Sequence, residues 1–243
     1  LYVMCDTCMA PIPTLTPVTC YGGNDGAVLA QPAGIDGPPW IVELVDPITS
    51  AIIQSDNNVI TTVTFSGLSA GDYIVRSIDT AGCYADTLVT ILEPPQMVLT
   101  VSNDTIICIG GTATITATAS GGVGGFNYIW DSGELTATIN VSPATNQAYC
   151  VTVTDANGCP APAAACVNIN LNPALQVTAL SDQGICPGDV ASISAIATGG
   201  DGNYSYTWDN GIGPGQTQNV APGSTTVYTV TVTDGCETPG ASD

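Results

Sequence analysis

A sequence motif that occurs twice constrains this fold more than any other feature. A cysteine and a later Tyr-x-Trp-Asp sequence appear as Cys108 and Trp130 and again, 78 residues further on, as Cys186 and Trp208. The repeat units of solenoids and propellers are shorter, at about 20 to 50 residues. The chain is therefore predicted to be a series of small related domains.

A third, more divergent copy lies upstream, where Cys20-Tyr21-Gly22-Gly23 opens a unit and Gly82-Cys83 closes it. Copies of about 70 to 80 residues are near the lower end of ordinary domain size. We predict three modules, with an orphan strand and linker before the first and the last strand missing from the third. The predicted boundaries are residues 1–16 for the strand and linker, and residues 17–95, 96–173 and 174–243 for the modules.

Composition and residue alternation predict an all-β chain of antiparallel sandwich modules. Val, Ile and Thr favour strands, and 27 Gly and 17 Pro interrupt them at the short intervals typical of a β-sandwich. In residues 149–153, as in residues 228–232, apolar and polar side chains alternate, so one face of each strand is buried. Tyr73 and Tyr228 precede such strands, either as tyrosine corners bonded to the preceding loop or simply as packed rings.

Ten cysteines without a histidine indicate disulfide bonds rather than a metal site. Only Cys5 and Cys8 have the close spacing of a zinc-binding thiolate pair, and no second pair is near them. Matching cysteines at the two ends of each module predict bridges that each close one module. The predicted bridges are Cys20–Cys83, Cys108–Cys159 and Cys186–Cys236, and Cys5 and Cys8 are further candidates.

Alternation also places Cys150 and Cys166 on the outer face of two neighbouring strands. If those strands pair through the loop at residues 155–158, the two sulfurs meet, which predicts a cross-strand Cys150–Cys166 bridge. Frequent disulfides imply an oxidising compartment and therefore a secreted or surface-displayed protein. The sequence shows no membrane-spanning run or signal peptide, as is typical of a mature or internal fragment.

The charge of the chain argues against several functional classes. It has 21 acidic residues, one arginine, no lysine and no histidine. Phosphate backbones require a cationic surface, so nucleic acid is not a predicted partner. Without histidine there is no Ser-His-Asp or Cys-His base, and the glutamates are scattered, so we predict no enzymatic activity and no required cofactor.

Acidic turns offer one candidate ion site. Asp25, Asp155 and Asp201 lie in Gly/Asn-rich loops, where their oxygens on an acidic surface would suit Ca²⁺. Turn formation alone is the competing explanation, because aspartates in such loops bond to nearby backbone N–H groups.

The first module resembles a known family of surface repeats. Residues 20–26, 65–73, 79–83 and 91–94 are similar to the repeat of the SprB-type gliding-motility adhesins of Bacteroidota. The second and third modules resemble the PKD-like, immunoglobulin-like modules of the same proteins, through Tyr-x-Trp-Asp and Tyr-x-Val-Thr-Val-Thr-Asp. The resemblance implies an extracellular cell-surface protein, exported by the type IX route, that forms fibres or adhesive stalks.

The same resemblance implies O-glycosylation at Asp-Thr-aliphatic sequences. The modified residues would be Thr80, Thr87 and Thr105, and the competing explanation is an ordinary threonine at a strand edge.

The two ends of the chain suggest how copies join. After Cys159 the middle module continues into a last strand at residues 167–171, whereas no such strand follows Cys236. The chain opens with the apolar segment Leu1-Tyr2-Val3-Met4-Cys5. If residue 1 of one copy followed residue 243 of another, Leu1, Val3 and Cys5 would replace Val167, Ile169 and Leu171. This predicts head-to-tail strand completion, in a tandem polypeptide or by donor-strand addition between subunits, and the alternative is that the chain simply ends there.

Two functional classes follow. The first is a structural and adhesive building block of an extracellular filament or stalk, whose partners are copies of itself or adjacent modules. The second is a carbohydrate-binding array for surface polysaccharide, in which exposed aromatic rings are stacking platforms. The candidate rings are Tyr21, Tyr84, Tyr204 and Trp40.

Overall fold

The computed structural model describes residues 8–33, 37–180, 182–236 and 241–242, and every regular element among them is a β-strand. The strands form six sheets of three or four strands each, with predominantly antiparallel neighbours. The predicted all-β, disulfide-stapled sandwich class is confirmed. None of the described residues belongs to a helix long and apolar enough to cross a bilayer.

The chain folds into two compact units. The first takes the described residues within Leu1–Leu99, Ala119–Tyr128 and Thr152–Ala164, and the second takes those within Thr100–Thr118, Ile129–Val151 and Ala165–Asp243. The boundaries of the three modules stay a prediction, and the module names are kept below for the segments that they designate.

The first module consists of two sheets around one core. Its two sheets contain β1 (Ile12–Thr16), β2 (Gly26–Gln31), β3 (Trp40–Val45), β4 (Ile52–Val59), β5 (Val63–Leu68), β6 (Gly71–Ile78) and β7 (Tyr84–Ile91). β1 falls within residues 1–16, which the sequence predicted as an orphan strand and linker before this module, but it pairs antiparallel with β2. The strands lie in the orders β1-β2-β5 and β4-β3-β6-β7. Alternate side chains point inward, and Val28, Leu44 and Val75 are fully buried. Tyr73 packs against this core while its hydroxyl donates to the Ser69 carbonyl at 3.0 Å, so the predicted corner and the predicted packing both hold.

The middle module also has seven strands. They are β8 (Val98–Val101), β9 (Thr105–Ile107), β10 (Ala113–Ser120), β11 (Asn127–Trp130), β12 (Thr138–Val141), β13 (Gln147–Thr154) and β14 (Ala165–Leu171). Their orders are β12-β10-β8 and β11-β13-β14-β9. Trp130 is buried, and its indole N–H donates to the Thr136 carbonyl at 2.9 Å.

The third module resembles this arrangement, but among its described residues the counterparts of β13 and β14 are shorter and the counterpart of β9 has no strand conformation. Its strands are β15 (Gln176–Ala179), β16 (Ala191–Thr198), β17 (Ser205–Trp208), β18 (Gly213–Pro214), β19 (Thr217–Val220), β20 (Val230–Thr233) and β21 (Ala241–Ser242). Their orders are β15-β16-β19 and β18-β17-β20-β21. The Trp208 indole N–H donates to the Gly215 carbonyl at 2.8 Å, as Trp130 does to Thr136. The repeated motif therefore makes the same local contact in both modules.

Candidate functional site: an open groove and the disulfide bonds between modules

The last strand of the middle module closes its sandwich. β14 pairs antiparallel with β13, with Tyr149 opposite Val167 and Val151 opposite Ala165. The other edge of β14 pairs in parallel with β9. Val167 and Ile169 on its inner face are fully buried. A single strand thus satisfies two backbone edges and fills the core between them.

The corresponding position in the third module has much less strand pairing. Residues 226–229, which align with the first half of β13, have no strand conformation, and β20 begins only at Val230. On this side of β20 the described pairing is limited to Thr231 with Ser242 and Val232 with Ala241. Residues 183–185, which align with β9, also have no strand conformation.

A groove lies along these two unpaired segments. Its volume is about 480 Å³. Its walls include Ile185 from the β9 counterpart, and Val227 and Tyr228 from the β13 counterpart, with Trp208 and Ile193 from the core. The groove therefore occupies the position that β14 fills in the middle module.

Several apolar side chains that line the groove are exposed. Val227 is 81% exposed, Leu180 56% and Ile185 37%. Tyr228 is half-buried, whereas its counterpart Tyr149 is buried. Contiguous apolar surface of this kind is typical of interaction sites. That the third module lacks its last strand stays a prediction, and the short strand β21 pairs with β20 at this edge. The sequence alone did not indicate which residues line the groove.

The disulfide pattern differs from the predicted one at three of four bridges. The predicted Cys20–Cys83, Cys108–Cys159 and Cys186–Cys236 bridges are wrong. The structure pairs Cys8 with Cys83, Cys20 with Cys159, Cys108 with Cys236 and Cys150 with Cys166. The cross-strand Cys150–Cys166 bridge is the one predicted from alternation, and these two residues lie directly opposite each other in the β13–β14 ladder.

Strand length explains why the end cysteines of one module do not meet. In the third module Cys186 precedes β16, whereas the turn that contains Cys236 lies beyond β16, where the Asp201 N–H donates to Asp234 Oδ2 at 3.1 Å. The eight residues of β16 span roughly 26 Å at about 3.3 Å per residue, far more than a disulfide allows. Cys20 therefore bonds to Cys159 near the end of the middle module, and Cys108 bonds to Cys236 near the end of the third. The lengths of the intervening strands were the sequence signal that could have revealed this.

The candidate calcium ligands bond to backbone instead. Asp25 accepts the Thr19 N–H at 2.9 Å, and Asp201 accepts the Asn203 N–H at 2.9 Å. Asp155 is buried and accepts the N–H groups of Val123, Asn157 and Cys159 at 2.9 to 3.0 Å. These bonds, from Val123 above all, hold the pKa of Asp155 below its ordinary value. In the described part of the chain no three His, Cys, Asp or Glu side chains are grouped to hold a metal ion.

The candidate stacking rings fall into two groups. Tyr21 and Tyr84 are 51% and 59% exposed, and the Arg76 guanidinium carbon lies 4.8 Å from the Tyr84 ring centroid. Tyr204 and Trp40 are half-buried and pack against cores. The Tyr204 hydroxyl also donates to the Gly199 carbonyl at 2.6 Å. Only Tyr21 and Tyr84 thus offer open ring surface.

The three candidate glycosylation sites also differ in exposure. Thr80 is exposed in the turn after β6. Thr87 is half-buried, and its hydroxyl donates to the Pro11 carbonyl at 2.8 Å. Thr105 is half-buried in β9. Thr80 is therefore the most accessible of the three. The predicted assembly segment Leu1, Tyr2, Val3, Met4 and Cys5 lies outside the described residues.

Comparison with known proteins gives one family match. Residues 186–213 match the family model of the SprB repeat, which confirms the resemblance and places this match in the third module rather than the first. No curated protein matches the chain by sequence.

Among solved structures, the chain is similar to a 1.5-MDa bacterial ice-binding adhesin, with 16% identity over 97% of this chain and 96% of that one and a TM-score of 0.41. It is also similar to immunoglobulin domains 1–5 of Sidekick-1, with 12% identity over 96% of this chain and 58% of that one and a TM-score of 0.43. The fibronectin(III)-like modules of Clostridium thermocellum CbhA give 17% identity over 66% of this chain and 94% of that one, with a TM-score of 0.30.

Proposed function

We propose that this chain is a non-enzymatic, structural and adhesive building block of an extracellular cell-surface filament or stalk, in which a strand from another copy completes the third module. The observation that carries the proposal is the apolar groove at the position that β14 fills in the middle module. The disulfides between modules also support it, because they link one module covalently to the next.

Strand addition suits the groove because it would satisfy both of its edges. An inserted strand could pair with residues 226–229 on one side, as β14 pairs with β13 in the middle module. Its inward side chains would cover Trp208 and Ile193, which line the groove. Main-chain hydrogen bonds would then supply affinity and the buried side chains specificity. An open edge next to exposed apolar surface is otherwise an aggregation hazard.

We propose Leu1-Tyr2-Val3-Met4-Cys5 of another copy as the donor, because this segment is apolar, uncharged and outside the module sequences. Two registers are available in a tandem polypeptide. In the first register the ladder that pairs Ser242 with Thr231 simply continues. Residue 243, an aspartate, then lies opposite the buried Val230, and Tyr2 and Met4 of the following copy face the core. A slip of one residue turns Leu1, Val3 and Cys5 inward instead. We favour the slipped register, because it leaves the carboxylate of Asp243 in water rather than facing the core.

The test uses a fluorescent peptide of residues 1–10 with serine at positions 5 and 8, titrated against the chain without residues 1–5. Saturable binding is expected. Ile185→Arg should abolish it, because Ile185 lines the groove and its counterpart Ile107 is half-buried in the closed middle module. Val190→Arg is the matched control, since Val190 is 70% exposed in the same module but is not a lining residue. Absence of binding, or equal effects of the two variants, would contradict the proposal.

The peptide also reports the register. In the slipped register a Val3→Asp peptide should lose binding and a Tyr2→Asp peptide should keep it, because residue 3 faces the core and residue 2 faces solvent. The reverse result would favour the register of Ser242, and equal tolerance of both changes would argue against a paired strand.

A carbohydrate-binding array is the second candidate function, favoured by the exposed rings of Tyr21 and Tyr84. Saccharides stack on such rings, so glycan-array binding that is lost in Tyr21→Ala or Tyr84→Ala would support it. Tyr204→Phe is the control, since it keeps a half-buried ring and removes only the bond to Gly199. Absence of glycan binding by the unaltered chain would exclude this function.

Export by the type IX route, a role in gliding motility and O-glycosylation remain parts of the proposal. Thr80 is the residue we expect to carry a glycan first, because it is exposed. An intact mass of native material equal to that of the bare polypeptide would exclude the glycan.

A further inference from the structure

The first cysteine of each module lies in the same turn. The N–H three residues later donates to the cysteine carbonyl: Gly23 to Cys20 at 3.0 Å, Gly111 to Cys108 at 2.9 Å and Asp189 to Cys186 at 3.0 Å. The third residue of each turn is a glycine with φ of 70°, 78° and 86°. A positive φ at this place defines a type II turn and favours glycine. The three turns thus hold their cysteines in the same backbone geometry.

Two of these turns are bonded to the end of the following module. Cys20 bonds to Cys159 with a Cα–Cα distance of 5.6 Å, and Cys108 bonds to Cys236 with 5.3 Å. At the first bridge the Asn157 amide also donates to the Thr19 carbonyl at 3.2 Å. Each complete joint therefore combines the opening turn of one module with the closing turn of the next.

The third opening turn has no such partner in the described structure. Cys186 is exposed and is the one free cysteine among the described residues. The flanking residues Ile185 and Pro187 line the groove. The free thiol thus lies next to the surface that we propose accepts a strand of another copy.

The first module has a closing turn of the required geometry. Asp79 Oδ1 accepts the Cys83 N–H at 2.9 Å, and the Gly82 N–H donates to the Asp79 carbonyl at 3.0 Å. At the closing turn of the middle module, Asp155 makes the same two bonds with Cys159 and Gly158, at 2.9 and 3.0 Å. The first module could therefore follow a third module as the middle module follows the first.

We propose that Cys186 forms a third joint, a disulfide with Cys83 in the first module of a second copy of this chain. The inference rests on the proposed head-to-tail order of copies. The Cys186 thiolate attacks the Cys83 sulfur of the Cys8–Cys83 bridge, the Cys186–Cys83 bond forms, and Cys8 leaves as a thiolate that takes a proton from water. One disulfide replaces another, so the exchange needs no external oxidant.

The test is non-reducing electrophoresis and peptide mass mapping of the concentrated full chain after incubation at mildly alkaline pH. The expected result is a ladder of covalent oligomers, a cross-linked peptide containing Cys186 and Cys83, and a Cys8 thiol that becomes open to alkylation. Cys186→Ser should abolish the ladder. The double variant Cys150→Ser/Cys166→Ser is the control and should keep it, because that bridge lies within one hairpin.

A second arm uses two copies fused head to tail, which raises the effective concentration to the order of millimolar. A Cys186–Cys83 disulfide in either experiment supports the proposal. The experiment with unfused chains shows whether fusion is needed for it to form. Its absence from both arms, or a ladder that persists in Cys186→Ser, overturns it. Strand binding is measured independently, because peptide titration of Cys186→Ser should give unchanged affinity. Retained peptide binding without the cross-link would thus reject the disulfide and leave the proposed function standing.

Discussion

The middle and third modules have nearly the same sequence at their central strand and different structures there. Residues 149–153 and 228–232 share the order Tyr-x-Val-Thr-Val. In the middle module the strand runs from Gln147 and is paired by β14, whereas in the third it begins only at Val230. Thr226 and Val227 have higher strand propensity than their counterparts Gln147 and Ala148, so local propensity does not explain why the strand is shorter in the third module. We infer that the partner strand β14 accounts for the difference.

The largest expected effect comes from removing the Cys20–Cys159 bridge, which closes the middle module. The opening turn of the third module, at Cys186, has no such bridge among the described residues. Replacing Cys20 and Cys159 together by serine should lower the free energy of unfolding by roughly 5 kcal/mol, because the bridge closes a loop with a sequence separation of 139 residues. Denaturant unfolding measures this change. A loss below about 1 kcal/mol would show that the joint contributes little constraint to the unfolded chain.

Weakening β14 should make the middle module resemble the third. Ile169→Ala removes a fully buried side chain of β14 and should cost about 2 to 5 kcal/mol. Amides of residues 147–149 should then exchange faster with deuterium, because their partner strand is weakened.

The matched control for this change is Ile106→Ala, since Ile106 is 63% exposed in β9 of the same module. It should change stability by no more than about 0.5 kcal/mol. Equal effects of the two variants would contradict the assigned core of β14.

The third prediction concerns the buried aspartate of the middle module. The pKa of Asp155 is lowered, chiefly by the hydrogen bond from the Val123 N–H. The ionised carboxylate therefore stabilises the folded chain at neutral pH, and this contribution is lost as the pH falls below about 4. Asp155→Asn keeps only one acceptor oxygen for three N–H donors and should be less stable than the unaltered chain at pH 7.

Thermal melting at pH 7 and at lower pH measures the difference between the two proteins, which should shrink on acidification. Asp56→Asn is the control, because Asp56 is exposed and accepts the Asn58 N–H. A difference between Asp155→Asn and the unaltered chain that stays constant with pH would refute this assignment.

The smallest expected effect is in the groove. Val227→Ser should change the stability of the isolated chain by no more than about 0.5 kcal/mol, since Val227 is 81% exposed. A large loss would show that the groove is already closed in solution.

Sequence reasoning predicted the repeated elements well because they depend on local chemistry. Alternation in residues 149–153 placed Tyr149, Val151 and Val153 in the core and Cys150 opposite Cys166. It failed where the answer depends on distances along folded strands. Cys186 and Cys236 were paired by their positions at the ends of one module, but the length of β16 separates them. The residues that line the groove could not be predicted either, because they depend on which strand edges remain unpaired, and alternation gives no information about pairing.

The proposed function depends above all on a β-strand entering the groove of the third module. Deuterium exchange of the amides at residues 226–228 tests this, in the chain without residues 1–5, with and without a saturating peptide of residues 1–10; the Thr229 N–H is left out because it already donates to Asp209 Oδ1 at 3.0 Å. We expect fast exchange of these amides without peptide, and protection close to that of residues 147–149 when peptide is bound. Amides that are already protected without peptide, or whose exchange is unchanged at saturation, would contradict it.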